Sequence, residues 1–199
     1  MASSLTLTTF TTNLLAFLVD TTNIVFPTGT VTEAIRLALG EYSAALPLIA
    51  VGTATPAANK REVSLAALTG IIDVQEVHFP YTAADPEYPP NRVLFRTYVT
   101  ASAFTLFLDS RDPPDGTQVA RVFYTMTHTL SGLDSASATT YPASDDGMMM
   151  LGAAGFAALA RSVEVVGAYQ AEITQMTSLK AWGDEQLSQF RTELWQRKK

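Results

Sequence analysis

Thr30-Val31-Thr32-Glu33-Ala34-Ile35-Arg36-Leu37-Ala38-Leu39-Gly40-Glu41-Tyr42-Ser43-Ala44-Ala45-Leu46-Pro47 is the stretch on which the fold turns. Val31, Ile35, Leu39, Tyr42 and Leu46 recur at three- and four-residue spacing, which stacks them on one side of a helix. Thr30 and Glu33 form a Thr-x-x-Glu pattern, in which each side chain satisfies a backbone donor that a helix start leaves open. This predicts a helix beginning at Thr30. Pro47 ends it, because a proline pushes the residue before it out of the helical region.

Beyond Pro47 the period changes. Short runs rich in Val, Ile, Phe, Tyr and Thr alternate with turn residues, which is the pattern of strands. Strands are expected at Leu48–Ala54, Ile71–Phe79, Val93–Val99, Phe104–Leu108 and Gln118–His128. A proline-rich loop, Pro80 to Asn91, and an acidic turn, Asp109 to Gly116, lie between them. After a Ser- and Thr-rich stretch, helices return. One is predicted from Ser144, a suitable N-cap, to Val166. Its Gly152, Ala153, Ala154, Gly155, Ala157, Ala158 and Ala160 make a thin surface for a close neighbour, within the fold or in another subunit. The last helix is predicted over Gln170 to Arg197, with Leu179, Leu187, Phe190 and Leu194 on one side. On the N-terminal side, Leu14, Leu15, Phe17 and Leu18 predict a helix over Thr9 to Val19.

These readings give an α+β fold: a helical bundle formed by the N- and C-terminal helices, with an inserted antiparallel β region. The chain is expected to be a single domain over 1–199, with helices over about 9–46 and 144–197 and the β insertion over about 48–128.

Composition narrows the function. Apolar residues are 47% and charged residues 16% of the 199, so the chain has the makings of a packed core. A net charge of −6 argues against a protein that grips nucleic acid, which needs clustered Lys and Arg. Without cysteine there is no disulfide, thiolate or sulfur-ligated metal chemistry. No Lys or Arg precedes the first apolar run, Leu14 to Val19, so a secretory signal is not expected. The longest small-and-apolar stretch, Met148 to Ala160, holds 13 residues, against the roughly 20 a membrane span requires. A soluble protein is expected.

The chemistry-bearing residues are few. There is no phosphate-binding glycine loop, nucleophile elbow or His-Glu-x-x-His pair. His78 and His128 fall in predicted strands and read as hydrogen-bonded structural residues, since a general base needs a positioned partner. Asp109, Asp112 and Asp115 with Gly116 miss the spacing of a calcium loop and read as a solvated turn. Asp145 and Asp146, at a helix start, complement the positive end of its dipole. Met148, Met149 and Met150 read as packing residues. Trp182 lies about 60° from Leu179 around the last helix, on the flank of its apolar stripe, and reads as core. Trp195 is different: with Arg191, Arg197, Lys198 and Lys199 it makes a basic, aromatic tip on an acidic chain, the composition of an interface anchor. The residues by themselves give no catalytic site, no metal site and no cofactor.

Four phrases, in order, carry a resemblance. Ala34-Ile35-Arg36-Leu37-Ala38-Leu39-Gly40-Glu41-Tyr42-Ser43 resembles the early helix of the head-to-tail connector proteins of tailed bacteriophages. Ile71-Ile72-Asp73-Val74-Gln75-Glu76-Val77-His78-Phe79-Pro80 resembles that family's Ile- and Val-rich strand and the proline loop after it. Arg121-Val122-Phe123-Tyr124-Thr125-Met126-Thr127-His128-Thr129-Leu130 resembles its strand ending in Tyr-Thr-x-x-His-Thr-Leu. Thr139-Thr140-Tyr141-Pro142-Ala143 resembles the phrase that opens its alanine-rich helix. The likeness runs from about Thr9 to the C-terminus. It departs at Ala44-Ala45-Leu46, where the family commonly has arginines, and at Met148 to Met150.

The resemblance implies a structural virion protein and no enzyme: a neck adaptor, assembled in the host cytoplasm, forming a homo-oligomeric ring of about twelve copies. Its partners would be itself, the portal protein and the next neck or tail protein. Viral DNA would pass through the channel without specific binding, and negative charge suits such a channel. Trp195, Arg197, Lys198, Lys199 and Arg191 would be the portal-docking residues. A tail terminator or capsid decoration protein is the alternative virion subunit. A hydrolase using the Asp109–Asp115 loop or His128 is the alternative enzyme.

Overall fold

Pro27 sets the start of the central helix. In the computed structural model, which describes residues 1–84, 90–100, 103–167 and 173–198, this helix, α2, spans Thr28–Ala45 with Pro27 as N-cap and no side-chain capping bond. The Thr30–Glu33 pattern therefore lies past the helix start, Thr30 in the first turn and Glu33 in the second, and does not supply the N-cap, which is Pro27. Glu33 turns instead to Arg36, one turn on. Val31, Ile35, Leu39 and Tyr42 are all buried, as the spacing requires.

Helix α1 (Leu7–Phe17) begins two residues earlier than its apolar run suggests, because the Thr6 hydroxyl accepts from Thr9 N at 3.3 Å. It ends before Val19, whose φ is +57°. Helix α3 (Asp146–Gly167) follows a 3-10 turn, Ala143–Asp145. Ser144 lies inside that turn and is not the cap; its hydroxyl donates to Asp145 Oδ1 at 2.8 Å. Helix α4 is Ile173–Arg197; the expected start at Gln170 lies outside the described residues.

The strands are β1 (Leu48–Ala54), β2 (Glu62–Ser64), β3 (Ile71–Tyr81), β4 (Leu94–Thr100), β5 (Ala103–Asp109) and β6 (Val119–Met126). They form two antiparallel sheets, ordered β1-β6-β3 and β2-β5-β4. The three-residue β2 has no detectable period and was not expected.

The described chain is thus α+β, with helices toward both ends. It divides into two compact units, Met1–Pro47 with His128–Lys199, and Leu48–Thr127. The first cut falls where the hydrophobic period changes, the second at the end of the last expected strand.

In the helical unit one core gathers Phe10, Leu14, Val31, Ile35, Tyr42, Met149, Leu187 and Phe190. Each large apolar side chain buried there contributes about 1.5–3 kcal/mol. Met148 and Met149 are buried and Met150 packs against them, so the methionines fill the core as expected. The thin surface of α3 is used within the chain. A Cβ on Gly155 would stand 2.6 Å from Leu187 Cγ and 3.0 Å from the Gly183 carbonyl oxygen of α4. Trp182 is half-buried against this core, its ring centroid 6.1 Å from that of Phe17.

The strand unit has its own core, in which Val74, Val77 and Phe79 of β3 meet Leu106 and Leu108 of β5 and Ala120, Val122 and Tyr124 of β6. Past the end of β3 the chain returns, and Asn91–Val93 pairs with that strand through Phe79 N to Asn91 O at 2.9 Å and Val93 N to Val77 O at 3.0 Å.

Candidate functional site

Two cations at the tip of α4 pair with carboxylates of the same unit while staying exposed. Arg197 Nη2 donates to Asp145 Oδ1 at 2.8 Å. Asp145 is only 3% exposed, and its other oxygen accepts from the Tyr42 hydroxyl at 2.7 Å. Burial and this neighbouring carboxylate push the Tyr42 hydroxyl well above its ordinary range, so it remains a donor. Arg191 grips Glu41 of α2 with two bonds, Nε at 2.6 Å and Nη2 at 3.2 Å. Arg191 and Arg197 thus fasten α4 to the rest of the helical unit. Trp195 is 63% exposed and Lys198 is exposed, while Lys199 lies outside the described residues. All four described tip residues are exposed; Arg191 and Arg197 have carboxylate partners in the same unit, and the fifth, Lys199, is not described.

Asp145 does more than complement a helix dipole. Its partners on α2 and α4 are too distant in sequence for a local reading to find, although a Tyr or Arg facing the start of α3 is the signal that would have suggested them. Asp146 does occupy the first turn of α3, as the dipole reading expects.

The two histidines sit in hydrogen-bonded settings. His128 lies past the end of β6, and its ring bonds Thr140 Oγ1 at 3.1 Å through Nδ1 and the Leu46 carbonyl at 2.9 Å through Nε2. It also meets Tyr42 edge-on at 5.1 Å. Burial holds its pKa below the ordinary histidine value. His78, 8% exposed, bonds Glu76 Oε1 at 2.6 Å, and the same oxygen takes Arg92 Nε at 2.6 Å. Among the described residues, the side-chain hydroxyl bonded to an imidazole is that of Thr140, which also accepts from Thr129 N at 2.8 Å.

In the acidic turn, Asp115 Oδ1 accepts from Thr117 N at 2.7 Å, Thr117 Oγ1 at 2.9 Å and Gln118 N at 2.9 Å. These bonds hold its carboxyl below the usual range. The carboxylate shapes its own loop. Among the described residues no three His, Asp or Glu side chains stand close enough to hold a metal ion, and no helix is long and apolar enough to cross a membrane. A cleft of about 500 Å³ in the strand unit is lined by Pro80, Asn91, Arg92, Asp109, Arg111 and Asp112, among others. Its charges are of both signs.

Reading by strand alternation missed one group, Arg121 with Tyr81 and Phe123, in which the guanidinium lies over both rings. The signal was present as Arg121-x-Phe123, two positions apart in a strand and so on one face.

No protein-family model matches the chain, and no curated protein matches it.

Proposed function

We propose that the chain is a structural subunit of a tailed-bacteriophage virion, a neck adaptor that forms a ring between portal and tail and lets DNA pass. The observation that carries this reading is the order of the four connector-like phrases along nearly the whole sequence. The geometry supports it in kind. The first phrase lies in α2, the second in β3, the third begins in β6, and the fourth leads into α3. Arg36 of the first phrase bonds Asp134 through Nε at 2.9 Å and Nη2 at 2.6 Å, which spends it on the subunit's own architecture. Side chains that could do chemistry are spent in the same way.

In this reading the helices from both chain ends form a bundle that is the body of the subunit, and the protein is not an enzyme. The tip of α4 docks on the portal through Trp195 and Lys198, and Lys199 follows them in sequence. Arg191 and Arg197 position that tip by holding α4. An exposed tryptophan beside cations has the composition of a binding hot spot.

Purified chain mixed with the portal complex of the same phage tests the proposal by electron microscopy. A ring seated on the portal is expected. Binding to the capsid lattice alone would make the chain a decoration protein, and binding to the tail tube alone a tail terminator.

A further inference from the structure

The β1-β6-β3 sheet has two edges, and the chain treats them differently. On the β3 side, Asn91–Val93 returns and pairs with the strand, so that edge is covered. β3 also carries Asp73, Glu76 and Pro80, and its register with β6 shifts at three places. Charge, proline and bulges are the means by which natural sheets keep other strands off an edge. β1 has none of them. Its seven residues, Leu48–Ala54, pair with β6 in unbroken register, and the sequence holds no charged residue from Tyr42 to Asn59. In an antiparallel ladder, alternate residues turn N–H and C=O away from the partner strand. Among the described residues, β1 has hydrogen-bond partners in β6 alone, so its outward groups form an open ladder. One face of β1 rests on the core of the strand unit through Ala50 and Ala54. On the other face Ile49 is 70% and Val51 48% exposed.

We infer that the β1 edge takes an extended segment of another protein as a fourth strand. An open ladder selects its occupant by geometry, because only an extended backbone offers donors and acceptors at the matching repeat. Charge complementarity then sets the side chains. A Lys or Asp brought against this edge would lose water with no opposite charge to meet, so the entering segment is uncharged over about five or six residues. Its alternate side chains on the outer face come to lie beside Ile49 and Val51 and are apolar, which takes those two out of water. In choosing another protein over a second copy, the inference rests on the neck reading. β1 laid against the β1 of a second copy is a closed two-fold contact, which does not repeat around a ring. The chemistry of the segment rests on the sheet alone.

Amide hydrogen exchange of the full chain, read across Leu48–Ala54, tests it. The probe is a pool of uncharged peptides of about six residues, with Val, Ile or Leu alternating with Thr or Ser. The pool is expected to slow exchange at alternate amides of β1 at least tenfold. The same pool with proline at a central position, which interrupts a ladder, is expected to leave them unchanged. Ile49→Lys, at an exposed position and checked for folding by circular dichroism, should need at least tenfold more peptide for the same slowing. An unslowed β1, equal slowing by the proline pool, or a folded Ile49→Lys chain that takes the peptides as readily as wild type would overturn the inference. Slowing that rises with chain concentration in the absence of peptide makes the occupant a second copy and overturns it equally. Portal binding is scored separately. A chain that seats on the portal but takes no peptide loses this inference and keeps the neck reading, whereas one that takes the peptides but never seats on the portal does the reverse.

Discussion

The Tyr42 hydroxyl donates to Asp145 Oδ2 at 2.7 Å, joining residues 103 positions apart in the chain. Tyr42 is 1% exposed and Asp145 3%. Ser144 and Arg197 hold the other carboxylate oxygen, so α2, the start of α3 and the end of α4 meet at one buried acid. A buried carboxylate is tolerated only while such partners are in place.

Removing a partner should therefore cost stability. Tyr42→Phe keeps the ring and leaves one oxygen of Asp145 without its donor, a loss of about 1–3 kcal/mol. The urea midpoint of the helical unit reads this directly. An unchanged midpoint would mean that solvent or another donor already serves that oxygen.

Two glycines should respond to alanine in opposite directions. Around Gly40, within α2, nothing lies within 4 Å of the point a Cβ would occupy, so Gly40→Ala should stabilise by up to about 1 kcal/mol through helix propensity. At Gly155 the same methyl meets the Leu187 side chain and the Gly183 carbonyl of α4. Gly155→Ala should destabilise by about 1–3 kcal/mol. Thermal melts of the pair decide whether α3 and α4 are packed as closely as described.

His128 gives the helical unit a pH dependence of known sign. Burial lowers its pKa in the folded state, whereas in the unfolded chain it takes a proton near the ordinary value of about 6.5. The unfolded state thus binds more protons as pH falls through that value, and stability drops from there down toward the folded pKa. Asp20, Asp115 and Asp134 are held below the usual carboxylate value; their stabilisation fades at more acidic pH, below the histidine window. Denaturation midpoints at pH 7.5 and 5.5 should differ for the wild-type chain and differ less for His128→Asn. An equal pH response in the two proteins would place the effect elsewhere.

Replacing His78 and His128 together by Asn should change stability and leave virion infectivity intact wherever the protein still folds and assembles. Loss of infectivity by fully assembled virions would reveal a chemical role for an imidazole.

What was legible in the sequence is what local period records. The apolar run Leu48–Ala54 is β1 to the residue; Val31, Ile35, Leu39 and Tyr42 line the buried side of α2. What was illegible depends on contacts distant in sequence or on competing local chemistry. Thr30 and Glu33 fit a capping box, yet Pro27 starts the helix earlier. Asp145 looks like a dipole charge until Tyr42 and Arg197 are brought to it. Asp20 is another such case: its carboxylate accepts from Ile24 N at 3.2 Å, Val25 N at 2.8 Å and Phe26 N at 2.7 Å. It thereby shapes the whole loop before α2, through bonds that no hydrophobic pattern encodes. At the tip of α4, sequence found the cations but could not tell that Arg191 and Arg197 have partners on their own subunit.

That division of the tip leads to the decisive measurement, portal binding by wild type, Trp195→Ala and Arg197→Gln, followed by electron microscopy of the complexes. Trp195→Ala should still fold and bind portal at least tenfold more weakly, since truncating a hot-spot aromatic costs about 2 kcal/mol or more. Arg197→Gln should chiefly lower stability, by removing a partner of Asp145. A neck adaptor must place a ring of the wild-type chain on the portal. If the folded wild-type chain never joins the portal, alone or in assembled form, the neck assignment is wrong.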